Sequence, residues 1–530
     1  MAFFPHSSLL TPHSSFLASR RGFTLLELMI AVAIFAVIGT FALLSWSGYQ
    51  RTQGLEAASQ GLADLLREAQ GNALNRVSDT AWCVRVTNVA GSTSSYAELY
   101  ASSDCSGAVQ RRVTFSSTVE FSDPADGQTK NIAFTERRGT LQSGGFPVVA
   151  YYDSTDSALG FVRCGNAACS ANNIVSAPDS GFNIGNYSAV TVGPDGLPVI
   201  AYHGAGDLRI LKCGNVACTS GNTITTADPA DVPQQTAITI GADSLPIVSY
   251  WMGPSSLKVL KCGNAACSSG NTLTVVDTID SLGNIGRTGI AIGADGLPVI
   301  AYHDNTSDRL KVLKCGNAAC SSGNTITLPD PAGNVGWFPS IAISADGFPV
   351  VSYYDTIFLD LKVLKCGNAA CTLGNTITAA DSTGNVGRDT AIAVAADGLP
   401  VIAYYDNTND QLKVLKCGNA ACTSGNTATN IEAIVSGGWL WASVAIASSG
   451  DGFPVISYQY VNTNDLRVLK CGNAACSSGN TITTVDSAGV VGEFSSIALV
   501  SFEALTFFRA DSPANTRTVQ VGSHGGIVVQ

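Results

Sequence analysis

Charge is scarce in this chain. Of its 530 residues only 13% are Asp, Glu, Lys or Arg, and five are histidine. His6 and His13 precede the first apolar segment, and His203 and His303 recur at matched places in a repeat, so few side chains are disposed for acid–base work. There is no H-E-x-x-H pair, no P-loop and no G-x-S-x-G elbow. Metalloprotease, nucleotide-binding and serine-hydrolase chemistry have no motif to rest on, and the chain reads as a non-enzyme. Basic residues are outnumbered 29 to 40, for a net charge of −11, which disfavours generic nucleic-acid binding. Glycine (54) and cysteine (16, an even number) are abundant instead, which suits a β-rich protein in an oxidising compartment. The length implies more than one domain.

One long apolar run stands out. Phe23 to Leu44 is 22 residues, and Glu27 is its only charge. At about 1.5 Å per residue a helix of that length spans about 33 Å, enough to cross a bilayer. A carboxylate inside such a span is costly and points to function. A secretory signal peptide would have a shorter run and a small-x-small site after it. A plain anchor would not account for Glu27.

Gly22, Phe23 and Glu27, preceded by Arg20 and Arg21, resemble the class III signal of type IV pilins and type II secretion pseudopilins. The resemblance implies cleavage after Gly22 by a prepilin peptidase and N-methylation of Phe23. It also implies filament assembly through Glu27, which pairs with the amine of a neighbouring subunit. A buried carboxylate among apolar helices needs such a partner charge. The precursor is then a single-pass inner-membrane protein with its head in the periplasm. The assembled form is an extracellular pilus tip or a periplasmic pseudopilus.

After the apolar run, Leu55, Ala58, Leu62, Leu65, Leu66, Ala69, Ala73 and Leu74 recur at helical spacing, and Ser78-Asp79 ends the pattern. Strand-like runs follow at Trp82–Thr87, Tyr96–Ala101, Arg111–Phe115, Val119–Phe121 and Asn131–Thr135. Cys83 and Cys105 lie on or beside the first two and are candidates for a disulfide. The segment from Leu62 to Arg76 leading into Trp82-Cys83-Val84 resembles the minor pseudopilin H (FimT-like) branch. That pattern breaks off near Ser143 and resumes in Ala504–Phe508 and Thr516–Ser523.

Between them the unit CGN-x-A-C occurs seven times, its first cysteines 49, 49, 53, 51, 51 and 54 residues apart. Each unit holds four strand candidates, such as Ser340–Ser344, Pro349–Tyr354, Leu361–Cys366 and Asn375–Ala379. The array opens at Phe146-Pro147-Val148-Val149, a second strand lacking a first, and closes at Ser496-Ile497-Ala498-Leu499, a first strand lacking a second. Joined, the two ends complete a seventh unit and remove exposed edges. Residues 340–362 also resemble a bacterial propeller repeat, S-I-A-x-x-x-D-G-x-P-x-I-S-Y-Y-D…L-K, which implies architecture but no function. The expected fold is an α+β pilin-like domain, a long N-terminal helix plus antiparallel sheet, with an inserted all-β seven-bladed propeller. A β-solenoid insert is the alternative. The expected divisions are leader 1–22, membrane-spanning helix 23–44, first part of the head 45–143, repeat insert 144–502 and final head strands 503–530.

Several residue sets are candidates for chemistry. The array cysteines form C-x4-C pairs: Cys164 and Cys169, Cys213 and Cys218, Cys262 and Cys267, Cys315 and Cys320, Cys366 and Cys371, Cys417 and Cys422, Cys471 and Cys476. Zinc sites favour C-x2-C pairs with histidine, so local disulfides fit better. The residue before the first cysteine is basic in every unit, including Lys261, Lys314, Lys365 and Lys416. A ring of these is either a docking surface for DNA or acidic glycans or a solvated face paired with aspartates such as Asp304 and Asp406. The second strands carry a changing residue, among them His203, Trp251 and His303, suited to sugar or protein contact or to packing between units. Asp-rich turns such as 304–308 and 406–410 lack the full EF-hand spacing, so no cofactor is expected, with Ca²⁺ the one alternative. Expected partners are other pilin subunits, the prepilin peptidase, the inner membrane before assembly, and an extracellular protein or glycan, with DNA as the alternative ligand. The expected function is a minor type IV pilin or pseudopilin, placed at a filament tip, displaying a disulfide-stapled propeller for adhesion or ligand recognition. The alternatives are a competence pilin binding DNA and a type II secretion pseudopilin engaging exported substrate.

Overall fold

The computed structural model describes residues 55–73, 82–89, 95–102, 105–115, 119–121, 129–134, 146–229, 233–252, 256–278, 287–434, 442–446, 452–500, 502–509, 512–522 and 527–529. The apolar run 23–44 lies outside them. Among the described residues no helix is long and apolar enough to cross a membrane.

A helix over residues 55–73 opens the described chain. Its apolar stripe packs on an antiparallel sheet built from Trp82–Thr87, Tyr96–Tyr100, Val109–Thr114 and Thr129–Phe134. Leu62, Leu65, Leu66 and Ala69 are fully buried against Val84, Val86, Ala97, Leu99 and Ile132. The i, i+3, i+4 spacing of the leucines places them on one helix face, which is why that face and not the Asp64–Arg67 side meets the sheet. A second small sheet joins Val119–Phe121 to Phe502–Arg509, Ser512–Gly522 and Ile527–Val529. Its pairing of Phe121 with Phe507 and Val119 with Arg509 connects chain from before the repeats to chain after them.

The repeats form seven four-stranded antiparallel sheets. The sheet containing Cys366 is typical: Val335–Ile343, Pro349–Asp355, Asp360–Lys365 and Thr376–Asp381. Burial grades across it. Every residue of the second strand is buried, the third alternates before becoming buried throughout, and the fourth is exposed or half-buried up to its last residue. A strand covered on both faces reads as a near-continuous apolar run, and a strand at the rim does not. Pro349 starts the second strand, where its missing N–H costs no ladder bond. Its carbonyl accepts from the Cys366 amide at 2.9 Å. The first turn needs a left-handed residue, and Gly347 supplies it at φ 84°. Asp346 accepts the Phe348 amide and closes that turn.

The first strand of each sheet lies against the first strand of the next, from Asn186–Val192 round to Val491–Val500 and back. The seven sheets therefore close a ring. The closing sheet combines Val491–Val500 from the end of the array with Phe146–Asp153, Ala158–Arg163 and Ile174–Ser180 from its beginning. Ile497 pairs with Val149 and Ser496 with Ala150. These are the two incomplete ends that the sequence phase brings together.

Polar stitches repeat at each joint between sheets. A fully buried second-strand tyrosine donates to a carboxylate at the end of the preceding sheet: Tyr202 to Asp179, Tyr250 to Asp228, Tyr302 to Asp277, Tyr353 to Asp330 and Tyr404 to Asp381, at 2.6–2.7 Å. Tyr458 with Glu432 and Tyr151 with Asp486 complete the set. Burial, and then the neighbouring carboxylate, pushes these phenols well above their ordinary range, so they remain donors. At the rim a fourth-strand hydroxyl donates to an alanine carbonyl in the next cysteine loop, as Thr274 does to Ala319 at 3.0 Å and Thr483 to Ala168 at 2.9 Å.

Tyr353→Phe removes one stitch without changing shape. Urea unfolding should show a loss of about 1.5–3 kcal/mol, the worth of a hydrogen bond to a charged group, with the slope unchanged. An unaltered midpoint would show that the stitch contributes nothing.

Candidate ligand site on the ring axis

Gly22, Phe23 and Glu27 lie outside the described residues, so their case rests on sequence. The cysteines do not. All sixteen are paired, Cys83 with Cys105 and each C-x4-C with itself, and none is free. In each loop an asparagine organises the backbone. The Asn264 carboxamide oxygen accepts the Ala266 and Ser268 amides at 3.1 and 3.0 Å. The second cysteine is left-handed in all seven loops, as Cys267 is at φ 52°. Each bridge closes a small loop, for which chain entropy gives about 2 kcal/mol.

The basic ring is paired within its own sheets. Lys261, Lys314, Lys365 and Lys416 pair with Asp243, Asp295, Asp346 and Asp397 at 2.8–3.0 Å, and their side chains are only 9–10% exposed. The partner is the aspartate of the first turn in the same sheet. Lys258, Lys311, Lys362 and Lys413 meet the tyrosine-bound carboxylates Asp228, Asp277, Asp330 and Asp381. These lysines are structural counter-charges, and among the described residues there is no exposed lysine ring for a polyanion. Arg163 departs from the pattern. The turn that would carry its aspartate is replaced by the place where the chain enters and leaves the ring, and Arg163 lies 5.6 Å over the Phe146 ring instead.

The changing second-strand residues are also inside. His203, Trp251 and His303 are 2%, 5% and 1% exposed. The His303 ring packs 4.8 Å from Trp337 of the next sheet, and Trp251 packs edge-on to Tyr302 at 5.9 Å. Burial lowers the pKa of both histidines. The variation that marks this position is variation in packing. In the Asp-rich turns, Asp304 is held by the Thr306 amide, Ser307 and Lys311, and Asp406 by the Thr408 and Asn409 amides. Among the described residues no group of three His, Cys, Asp or Glu is placed to hold a metal ion.

A site that the repeats do not advertise lies on the axis. The first strands enclose a cavity of about 300 Å³. At its end five of the first strands carry a bulge: Tyr187, Gln235, Phe338, Asp389 and Phe494 sit at matched positions with φ of 51–53°. Arg287 holds the same place in its sheet. Bulges re-aim side chains, and non-glycine residues adopt this conformation only where neighbours enforce it. The enforcement is visible. The hydroxyl of the following residue donates to the bulge carbonyl of the preceding sheet, Ser188 to Phe494 at 3.1 Å and Thr390 to Phe338 at 2.8 Å. Tyr187 and Phe494 pack with ring centres 4.4 Å apart. Arg287 bonds Asp389 at 2.8 Å, two sheets away, and lies 5.8 Å over Phe338. The sequence signal was available. The bulge residue and the one before it read NY, QQ, GR, WF, RD, LW and EF in the seven repeats, and no pair recurs. The LW pair, Leu440-Trp441, lies outside the described residues.

Comparison with known proteins adds the N-terminus. Residues 17–43 match the prokaryotic N-terminal methylation motif, so the chain carries the signal of a type IV pilin-like or pseudopilin precursor. That signal implies membrane anchoring, other pilin subunits and a prepilin peptidase. No curated protein matches the chain. Solved structures similar to it include a Lactobacillus plantarum protein at 13% identity and TM-score 0.42, covering 68% of this chain and all of that one. A Dyadobacter fermentans protein of unknown function matches at 12% and 0.39, over 52% of this chain and 90% of that one. A mutant of AofleA from Arthrobotrys oligospora matches at 12% and 0.38, over 59% and 90%.

The turn aspartates set a pH response. Burial raises the carboxyl pKa of Asp243, Asp295, Asp346 and Asp397, but the lysine and backbone hydrogen bonds outweigh it and hold each below its ordinary value. Their stabilisation is present above the unfolded value, about 3.9, and is lost as pH falls through the folded one. Asp153 and Asp360, raised by burial, act in the opposite sense but are fewer. Melting temperature should ease as pH falls below about 6.5, where the buried neutral His203 and His303 disfavour protonation, and drop further below about pH 4. A melting temperature that rises on acidification would contradict the assignment.

Proposed function

We propose that this chain is a minor type IV pilin or pseudopilin, FimT-like in its head, whose repeat array is a seven-bladed propeller inserted into that head and displayed at a filament tip for adhesion or ligand recognition. The observation that carries the proposal is the pairing of Val119–Phe121 with Phe502–Arg509 across the whole array. A ring entered and left beside one sheet is what an insertion requires. Sheets arranged round an axis favour the propeller over a solenoid, whose ends do not meet. A head of this size is poorly suited to a packed shaft, which supports a tip or low-copy position.

DNA capture would need accessible cations, and the lysines that suggested it are largely buried and ion-paired with turn aspartates. A secretion pseudopilus uses the same N-terminal signal, so location separates the two systems. Labelled antibody on the cell surface supports a pilus, and label confined to the periplasm supports secretion.

Assembly supplies the test. Glu27→Ala should remove the protein from sheared filaments while the precursor accumulates in the inner membrane. Undiminished incorporation would overturn the role assigned to Glu27.

A further inference from the structure

The seven repeats are near copies wherever the fold needs the same thing. The turn aspartate, the stitch tyrosine and the cysteine loop recur. The axial bulge is different, because its backbone geometry recurs while its side chain does not. A position with fixed placement and free chemistry is suited to building one asymmetric site from symmetric parts.

The groups gathered there have a defined chemistry. Tyr187 and Phe494 present aromatic carbon to the cavity, and Gln235 and Arg287 also line it. The Tyr187 hydroxyl and the Gln235 carboxamide have no hydrogen-bond partner among the described residues, although both are half-buried. Burial pushes the Tyr187 phenol up, so it is a donor at neutral pH. Arg287 is neutralised by Asp389, which leaves the pair able to present fixed donors without a net charge. Unpaired polar groups at a half-buried cavity with two aromatic side chains in its lining suit a small polar ligand. Its 300 Å³ is at the low end of such sites, enough for one ring and not for an oligomer.

We infer that the axial cavity is a binding site for a single neutral sugar ring, a free monosaccharide or the terminal residue of a glycan. A pyranose offers an apolar C–H face to Tyr187 and Phe494 and hydroxyls to the Tyr187 phenol, the Gln235 carboxamide and Arg287. The Arg287–Asp389 pair has no charge to spare for an acidic sugar. The inference rests on the proposed role of the ring in recognition, and it does not depend on filament assembly.

The test uses the full chain in detergent, titrated with D-glucose, D-galactose, D-mannose and N-acetyl-D-glucosamine, with D-glucuronate as the charged comparison, followed by saturation-transfer NMR. Saturable binding of a neutral sugar is expected, on the order of millimolar for a ligand of this size. Tyr187→Phe and Gln235→Ala should each weaken it about fivefold, the worth of one neutral hydrogen bond, with unchanged melting temperature. Tyr187→Phe keeps the ring and so guards against a folding defect. No saturable binding of any neutral sugar, binding untouched by both variants, or preference for glucuronate would each overturn the site. If binding fails while filament incorporation is normal, the sugar is lost and the pilin proposal stands. If incorporation fails while binding holds, the reverse follows.

Discussion

The pairing of Phe146–Asp153 with Val491–Val500 is the constraint on which the rest depends. Six of the seven sheets are made from consecutive chain, and the seventh exists only when the two ends of the array meet. Without it, Phe146–Asp153 and the last complete sheet would each expose an unpaired edge and an apolar face. With it, the first strands enclose an axis, and the bulges on that axis acquire neighbours on both sides. The same pairing returns the chain to where it began, so the sheet joining Val119–Phe121 to Phe502–Arg509 can form across an array of seven sheets.

Charge in this protein is spent largely on internal pairing. Lys258 and Asp228, and Lys413 with Asp381, are ion pairs with both side chains at most 15% exposed. Such pairs are weak evidence for stability, because desolvation offsets their attraction. Their value here is register. A lysine that must find one carboxylate in its own sheet and another in the preceding one fixes how neighbouring sheets slide past each other. The tyrosine–carboxylate bond at every joint acts in the same sense. The disulfides stiffen the rim, where the fourth strands are exposed and the apolar core is thin. The axis is left as the place where side chains are free to differ.

Much of this was legible in sequence. The strand runs at Trp82–Thr87 and Val119–Phe121 agree with the structure at both ends, because turn residues bound them. Repetition helped further, since a turn that is ambiguous once is clear when it recurs. The role of the lysines was not legible. Lys365 finds Asp346 in its own sheet, but Lys362 finds Asp330 in the preceding one, and only the closed ring shows that both lysines are largely buried. His203, Trp251 and His303 misled for a related reason: variability marked them, and variability arises from packing as readily as from recognition. The axial bulge was missed because a left-handed residue such as Phe338 or Phe494 has no local signature in an extended strand. Its mark was the loss of repetition at two adjacent positions.

The most direct test of this account is hydrogen–deuterium exchange across the two ends of the array. The amides of Val148–Asp153, paired on one side with Val491–Val500 and on the other with Ala158–Arg163, should exchange as slowly as those of Val350–Asp355, a second strand paired on both sides within consecutive chain. Alternate amides of Val148–Asp153 exchanging at the rate of an unpaired strand edge would show that the ring is open, and the axial site would fall with it.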